Sequence, residues 1–142
     1  MNRKAEAIEL KLTKAKSLLS EIDGLMNMRF YTTAISRLYY SCYHATRALL
    51  LTIDLVPKTH KGVSKMLHEH FVNKDLFNID HAAFYNNLMH ERIDDDYNDH
   101  MISDENEVIA FIDPTKAYVA YIETLIHAYL SAPDTPGTFN KE

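Results

Sequence analysis

One cysteine, three glycines and four prolines in 142 residues set the first limits on this chain. With Cys42 alone there is no intramolecular disulfide, and a lone thiol fits a reducing compartment. So few breakers exclude an all-β architecture, which places glycine and proline at its many turns, and leave a few long helices. No apolar run approaches the roughly 20 residues that span a bilayer, and the N-terminal NRKAEAIELK has no signal-peptide pattern. The expectation is a cytoplasmic protein without membrane contact. The chain also lacks an excess of positive charge: its net charge is −5 with histidine neutral. Proteins that hold nucleic acid mainly through phosphates are usually basic, because neutralising phosphates releases counterions. A broad basic groove is therefore not expected, although a local basic pocket is still possible.

What the chain does have is apolar periodicity. With 46% apolar and 25% charged residues, it is long enough to bury a core as one domain. Ile8, Leu12, Ala15, Leu19, Ile22 and Met26 alternate at steps of four and three, which predicts a first helix from Arg3 to Asn27. A second helix runs to Ile53 and stops ahead of Pro57. Thr59 is the expected N-cap of a shorter third helix, with Val63, Met66, Leu67, His70 and Phe71 facing inward. Asp80 is the capping candidate for a fourth, carrying Ala83, Phe84, Leu88 and Met89 and ending at the aspartates Asp94–Asp96, whose charge opposes the helix dipole. Ser103 is expected to cap the last helix, and Pro114 to kink it or break it into two, with Asp113 as a fresh cap. The fold class is all-α, an antiparallel up-and-down bundle of four to five helices over residues 1–130, followed by a disordered tail at 131–142.

The second helix is the informative one. Winding Arg37–Leu51, RLYYSCYHATRALLL, at 3.6 residues per turn puts Tyr31, Ile35, Leu38, Cys42, Ala45 and Leu49 on an apolar stripe. Arg37, Tyr40, His44, Arg47 and Leu51 line the opposite side. Two guanidiniums, an imidazole and a phenol form an unusual surface for a bundle helix, and they point to a ligand, a partner or a second copy of the chain. Long basic side chains lying over apolar neighbours are the plainer explanation.

Other chemistry has less support. Two metal ligands on one helix face need a spacing of three or four, and His68 and His70 are two apart; no metal and no cofactor are expected. Cys42 lies on the apolar stripe, where a thiol behaves as a small hydrophobe. Arg92 shares a helical line with His81, Tyr85 and Leu88, and Asp96 follows four residues later. That order is unfavourable for the helix dipole, so local stability does not explain the pair. It is either a half-buried structural ion pair or an arginine that holds a phosphate or a partner's carboxylate, with Tyr97 capping the cluster.

Three blocks, RLYYSCYHATRALL at 37–50, KTHKGV at 58–63 and RIDDDY at 92–97, resemble the small stand-alone branch of the HEPN superfamily over residues 5–130. The resemblance implies a helical bundle that dimerises, often paired with a minimal nucleotidyltransferase in a toxin–antitoxin-type module. Many HEPN proteins are metal-independent ribonucleases whose arginine and histidine, four to six residues apart, meet at the end of the fourth helix across the dimer cleft. Arg92 matches that arginine, but seven residues separate it from His100, the corresponding histidine. Arg37 and His44 have six between them, on a different helix. Lys58, His60, Asp96 and Tyr97 match the branch pattern. The expected function is therefore a dimeric interaction protein binding RNA or a nucleotide, with Arg37, Tyr40, His44, Lys58, His60, Asp96 and Tyr97 as binding candidates. The alternative is a metal-independent ribonuclease in which Arg92 meets His100, or His60 or His44 from the second chain, in the cleft. A nucleotide-binding bundle would need Arg37, His44, His60 and Arg92 to line one pocket.

Overall fold

The computed structural model describes residues 2–97 and 103–132. Its elements are α1 (Arg3–Ser20), α2 (Ile22–Asn27), α3 (Tyr31–Leu51), α4 (His60–His70), a 3₁₀ turn (Val72–Lys74), α5 (Ile79–Tyr97) and α6 (Glu105–Ser131). There is no strand among the described residues. The helical bundle expected from the periodicity is what forms.

α3 is the axis of the bundle, packing on α1, α2, α4, α5 and α6. The predicted stripe is buried at Ile35, Leu38, Cys42, Ala45 and Leu49, while Tyr31 is only half-buried. Burial also reaches Tyr39, Ser41, Thr46, Ala48 and Leu50, because helices cover α3 on several sides. Ser41 donates to the Ala15 carbonyl at 2.8 Å, joining α3 to α1. Thr46 donates to the Cys42 carbonyl at 2.8 Å and accepts from the Tyr118 hydroxyl at 2.6 Å, joining α3 to α6. These bonds satisfy polar groups that would otherwise be costly to bury.

Several element ends differ from the sequence expectation by a turn or less. The predicted first helix is interrupted at Glu21 into α1 and α2. α5 begins at Ile79, because the Asn78 side chain, not that of Asp80, accepts from a first-turn amide, His81 N at 2.9 Å. The cap of α6 is Asp104 rather than Ser103: its carboxylate accepts from Glu107 N at 2.9 Å while Glu107 Oε1 accepts from Asp104 N at 3.1 Å. This reciprocal box satisfies two terminal donors at once, which a serine one residue earlier does not do. Pro114 does not split α6, which runs continuously through it. Flanking burial of Val108, Thr115, Tyr118 and Val119 holds both halves against the core and outweighs the one missing hydrogen bond. Inward residues of α5 are Ala82, Tyr85, Leu88 and Met89; the expected Ala83 is exposed and Phe84 half-buried.

With so few glycines, the chain turns corners on other residues. Arg29, Asp54 and Asp75 have φ of 61°, 63° and 61°. Each closes a turn in which the following amide reaches back five residues, as Phe30 N does to the Leu25 carbonyl at 2.9 Å. Left-handed backbone costs such residues about 1 kcal/mol, which the surrounding packing offsets.

Candidate functional site

Ser36, Tyr40, Tyr43 and Arg47 follow steps of four, three and four, so they form one line along α3. Two elements bring side chains to this line. The end of α5 supplies Arg92, whose Nε donates to Ser36 Oγ at 2.9 Å. Its guanidinium lies over the Tyr40 ring, with Cζ 5.5 Å from the centroid. The start of α4 supplies His60, positioned by the KTHKGV turn. Thr59 caps α4 by accepting from Gly62 N at 2.9 Å, as expected. A Cβ at Gly62 would stand 2.8 Å from that same Thr59 oxygen, so the turn needs glycine there.

His60 sits among three tyrosine rings, with centroids 4.7 Å from Tyr43, 5.6 Å from Tyr39 and 5.8 Å from Tyr40. Tyr39 is fully buried and its hydroxyl is 2.6 Å from His60 Nδ1. Burial pushes the Tyr39 phenol above its ordinary pKa, so it keeps its proton at neutral pH. The bond runs from the phenol to Nδ1 or from Nδ1–H to the phenol oxygen according to the His60 tautomer, and in either direction it fixes how the ring faces. Behind Tyr39 the buried rings of Tyr85 and Tyr118 stack in turn, at 6.1 Å and 5.5 Å between centroids. That aromatic column fixes where Tyr39, and through it His60, can sit. Further along α3, Arg47 lies over Tyr43 at 5.6 Å and His44 contacts both Tyr43 and Tyr40. The His44 imidazole is pushed down to about 4 by burial and then by the cations Lys14, Arg47 and Lys11. It is neutral at pH 7.

Tyr40 is thus bordered by a guanidinium and an imidazole, and this half-buried α3–α4–α5 surface can hold an anion beside a movable proton. Among the described residues, no three His, Cys, Asp or Glu side chains gather into a set that could hold a metal ion. A family model described as HEPN domain matches residues 8–125. This chain belongs to the HEPN family. A protein of Methanocaldococcus jannaschii named "putative toxin" is 34% identical to this HEPN chain over 90 residues, 63% of the chain and 61% of that protein. A second of that name from the same organism is 41% identical over 69 residues, 49% of the chain and 52% of the protein. The HEPN chain therefore spans less than two thirds of the length of either. A protein of Thermotoga maritima named UPF0332 is 29% identical over 126 residues, 89% of the chain and 96% of its own length.

Of the residues singled out from the HEPN sequence, Tyr40, His44, His60 and Arg92 come together around the tyrosines. Arg37 instead forms an ion pair with Glu21 at 2.8 Å, on the α1–α2 side. Lys58 is exposed on the turn before α4. His100 and the side chains of Asp96 and Tyr97 lie outside the described residues, as does the tail from residue 133. Cys42 is buried, and burial raises its thiol pKa, so it is a packing residue. The sequence reading missed Ser36, Tyr39 and Tyr43. The line from Ser36 to Arg47 was available from helical spacing alone, but the pairing of Tyr39 with a histidine 21 residues away was not. No helix among the described residues is long and apolar enough to cross a membrane.

Proposed function

We propose that this HEPN protein is the toxin-like half of a two-component module, acting in the cytoplasm as a homodimer that engages RNA or a nucleotide and pairs with a minimal nucleotidyltransferase. The observation that carries this reading is that Arg92 and His60, from two different helices, both pack on Tyr40. A guanidinium held by Ser36 offers a planar donor set for phosphate. The tyrosine beside it offers a ring on which a base can stack. The relatives named as toxins and the three sequence blocks support the module assignment. The test is binding of a labelled single-stranded RNA to the purified chain, together with light scattering. Arg92→Ala should weaken binding at least about tenfold, the scale of a charge-assisted phosphate contact. A monomer whose RNA affinity is unchanged by Arg92→Ala would rule the reading out.

A second reading, a metal-independent ribonuclease, is favoured by the bond from Tyr39 to His60. A general base there uses the tautomer in which Nδ1–H donates to the Tyr39 oxygen, so that the ring is oriented and Nε2 keeps the lone pair that takes a proton. The imidazole would take the 2′-hydroxyl proton, the 2′-oxygen would attack phosphorus and the 5′-oxygen would leave. Arg92 would stabilise the charge on the phosphate. Cleavage in the presence of a chelator should be lost in both Arg92→Ala and His60→Ala. Full cleavage by His60→Ala would dismiss this version.

A further inference from the structure

A separate group of cations lies further along α3, where it packs on α1. α1 runs antiparallel to α3, with Lys4 paired to Asp54 and the Ala15 carbonyl bonded by Ser41, which sets Lys11 and Lys14 at the level of His44 and Arg47; in keeping with that register all three cations depress the His44 imidazole and Arg47 depresses Lys11, each behind the larger effect of burial. Concentrating like charge opposes folding, and the net charge of −5 leaves ample carboxylates to neutralise it. Three other cations on the same two helices are neutralised. Lys4 pairs with Asp54 at 3.0 Å, Lys16 with Glu123, and Arg37 with Glu21 at 2.8 Å. Lys11, Lys14 and Arg47 have no carboxylate at ion-pairing distance among the described residues. Three unpaired cations gathered at one seam of an acidic chain form a surface suited to an anion from outside.

The neighbouring rings identify the anion. Tyr43 beneath Arg47, together with His44 and Tyr40, interleaves aromatic faces with the cations and continues to Arg92. Such alternation suits a single-stranded polynucleotide, whose bases stack while its phosphates follow the cations. An acidic protein surface would use the cations and have no need of the rings. From Ser36, which holds Arg92, to Arg47 the helix advances about 16 Å at 1.5 Å per residue, the rise of about five stacked nucleotides.

We infer that the α1–α3 seam of Lys11, Lys14, Tyr43 and Arg47 is a phosphate-tracking strip for single-stranded RNA, extending the Arg92 cluster so that one protomer contacts about four to five nucleotides. This rests on the RNA reading above. The test is fluorescence anisotropy with the full chain, a labelled diuridylate and a labelled hexauridylate, in chelator, between about 50 and 200 mM salt. The hexamer should bind more tightly, and its affinity should fall about 20-fold more than the dimer's across that range, at about 0.7 per phosphate contact for three contacts. The combined Lys11→Gln, Lys14→Gln and Arg47→Gln variant should lose that advantage and keep dinucleotide binding, while Arg92→Ala weakens both. Should the triple variant fail to melt cooperatively, Lys14→Gln, at an exposed position, should still lower the salt slope by about 0.7. Tyr43→Leu should weaken the hexamer about fivefold or more. Wild-type affinity for the hexamer in the Gln variants would overturn the strip and leave the Arg92 reading standing. Equal binding of both lengths by wild type would do the same. Binding of polyglutamate but neither RNA, abolished in the triple variant, would assign the strip to an acidic protein instead. No binding of either RNA by wild type would defeat the RNA reading itself.

Discussion

Lowering the pH should destabilise this protein through His44, in a window that the structure defines. His44 is half-buried against Tyr40 and Tyr43, and burial, then Lys14, Arg47 and Lys11, bring its pKa from 6.5 to about 4. The unfolded chain therefore binds a proton at His44 where the folded chain does not, and stability falls as pH falls. The contribution is fully present above about pH 6.5, declines down to about pH 4 and changes no further below that. At about 1.4 kcal/mol per tenfold change in proton affinity, the ceiling is about 3 kcal/mol. His44 keeps substantial solvent contact, so screening reduces this to about 1 kcal/mol. Two measurements check it. Imidazole NMR should show His44 neutral at pH 5.5, with a midpoint that rises in Lys14→Gln. Urea unfolding at pH 7 and pH 4.5 should show a smaller loss in His44→Gln than in wild type, by about 1 kcal/mol. A His44 midpoint at 6 or above would refute the packing of Lys11, Lys14 and Arg47 around it, and with it the premise of the cationic seam.

Other outcomes follow from particular bonds. Tyr39→Phe removes the 2.6 Å bond to His60 Nδ1 and should lower Tm by about 4 °C, for a net loss of about 1 kcal/mol. It should also move the His60 Nδ1 resonance, and an unchanged resonance would contradict the assigned partner. The two helical glycines should respond oppositely to alanine. Gly24→Ala meets nothing within 4 Å and should gain about 0.5–1 kcal/mol by calorimetry. Gly62→Ala sets a Cβ 2.8 Å from Thr59 Oγ1 and should lose about 1 kcal/mol with the cap; a stabilised Gly62→Ala would show the cap to be dispensable. Asp104→Ala removes the capping box of α6 and should cost about 1 kcal/mol in urea unfolding; no change would mean that Ser103 can take over.

The helical class and most of the core were legible because amphipathic periodicity is a local signal. Ile8, Leu12, Ala15, Leu38, Cys42 and Leu49 are buried as their spacing predicted. Element ends were less legible, since Asn78 and Asp104 compete with neighbouring Asp80 and Ser103 for the same amides and only the entry path of the chain selects between them. At Pro114 local rules left a kink and a break open, because they price the lost hydrogen bond but not the burial of Tyr118 and Val119 that keeps α6 in one piece. Around the site, Arg92 and His60 were singled out by their blocks, while Arg37 attracted notice through a spacing that the ion pair with Glu21 puts to structural use.

By itself, the sequence determined that this is a helical bundle, that α3 carries a tyrosine- and arginine-rich face, and that the chain resembles HEPN proteins. Each of those follows from residues near one another in the chain, where a helix of fixed pitch sets which side chains share a face. Tertiary structure alone decided that Tyr39 serves His60, that Arg92 rests on Tyr40 and Ser36, and that Lys11 and Lys14 crowd His44. These contacts join residues 21 to 56 positions apart, or on different helices. Periodicity says which face a helix buries, but the crossing of packed helices says which residues meet there.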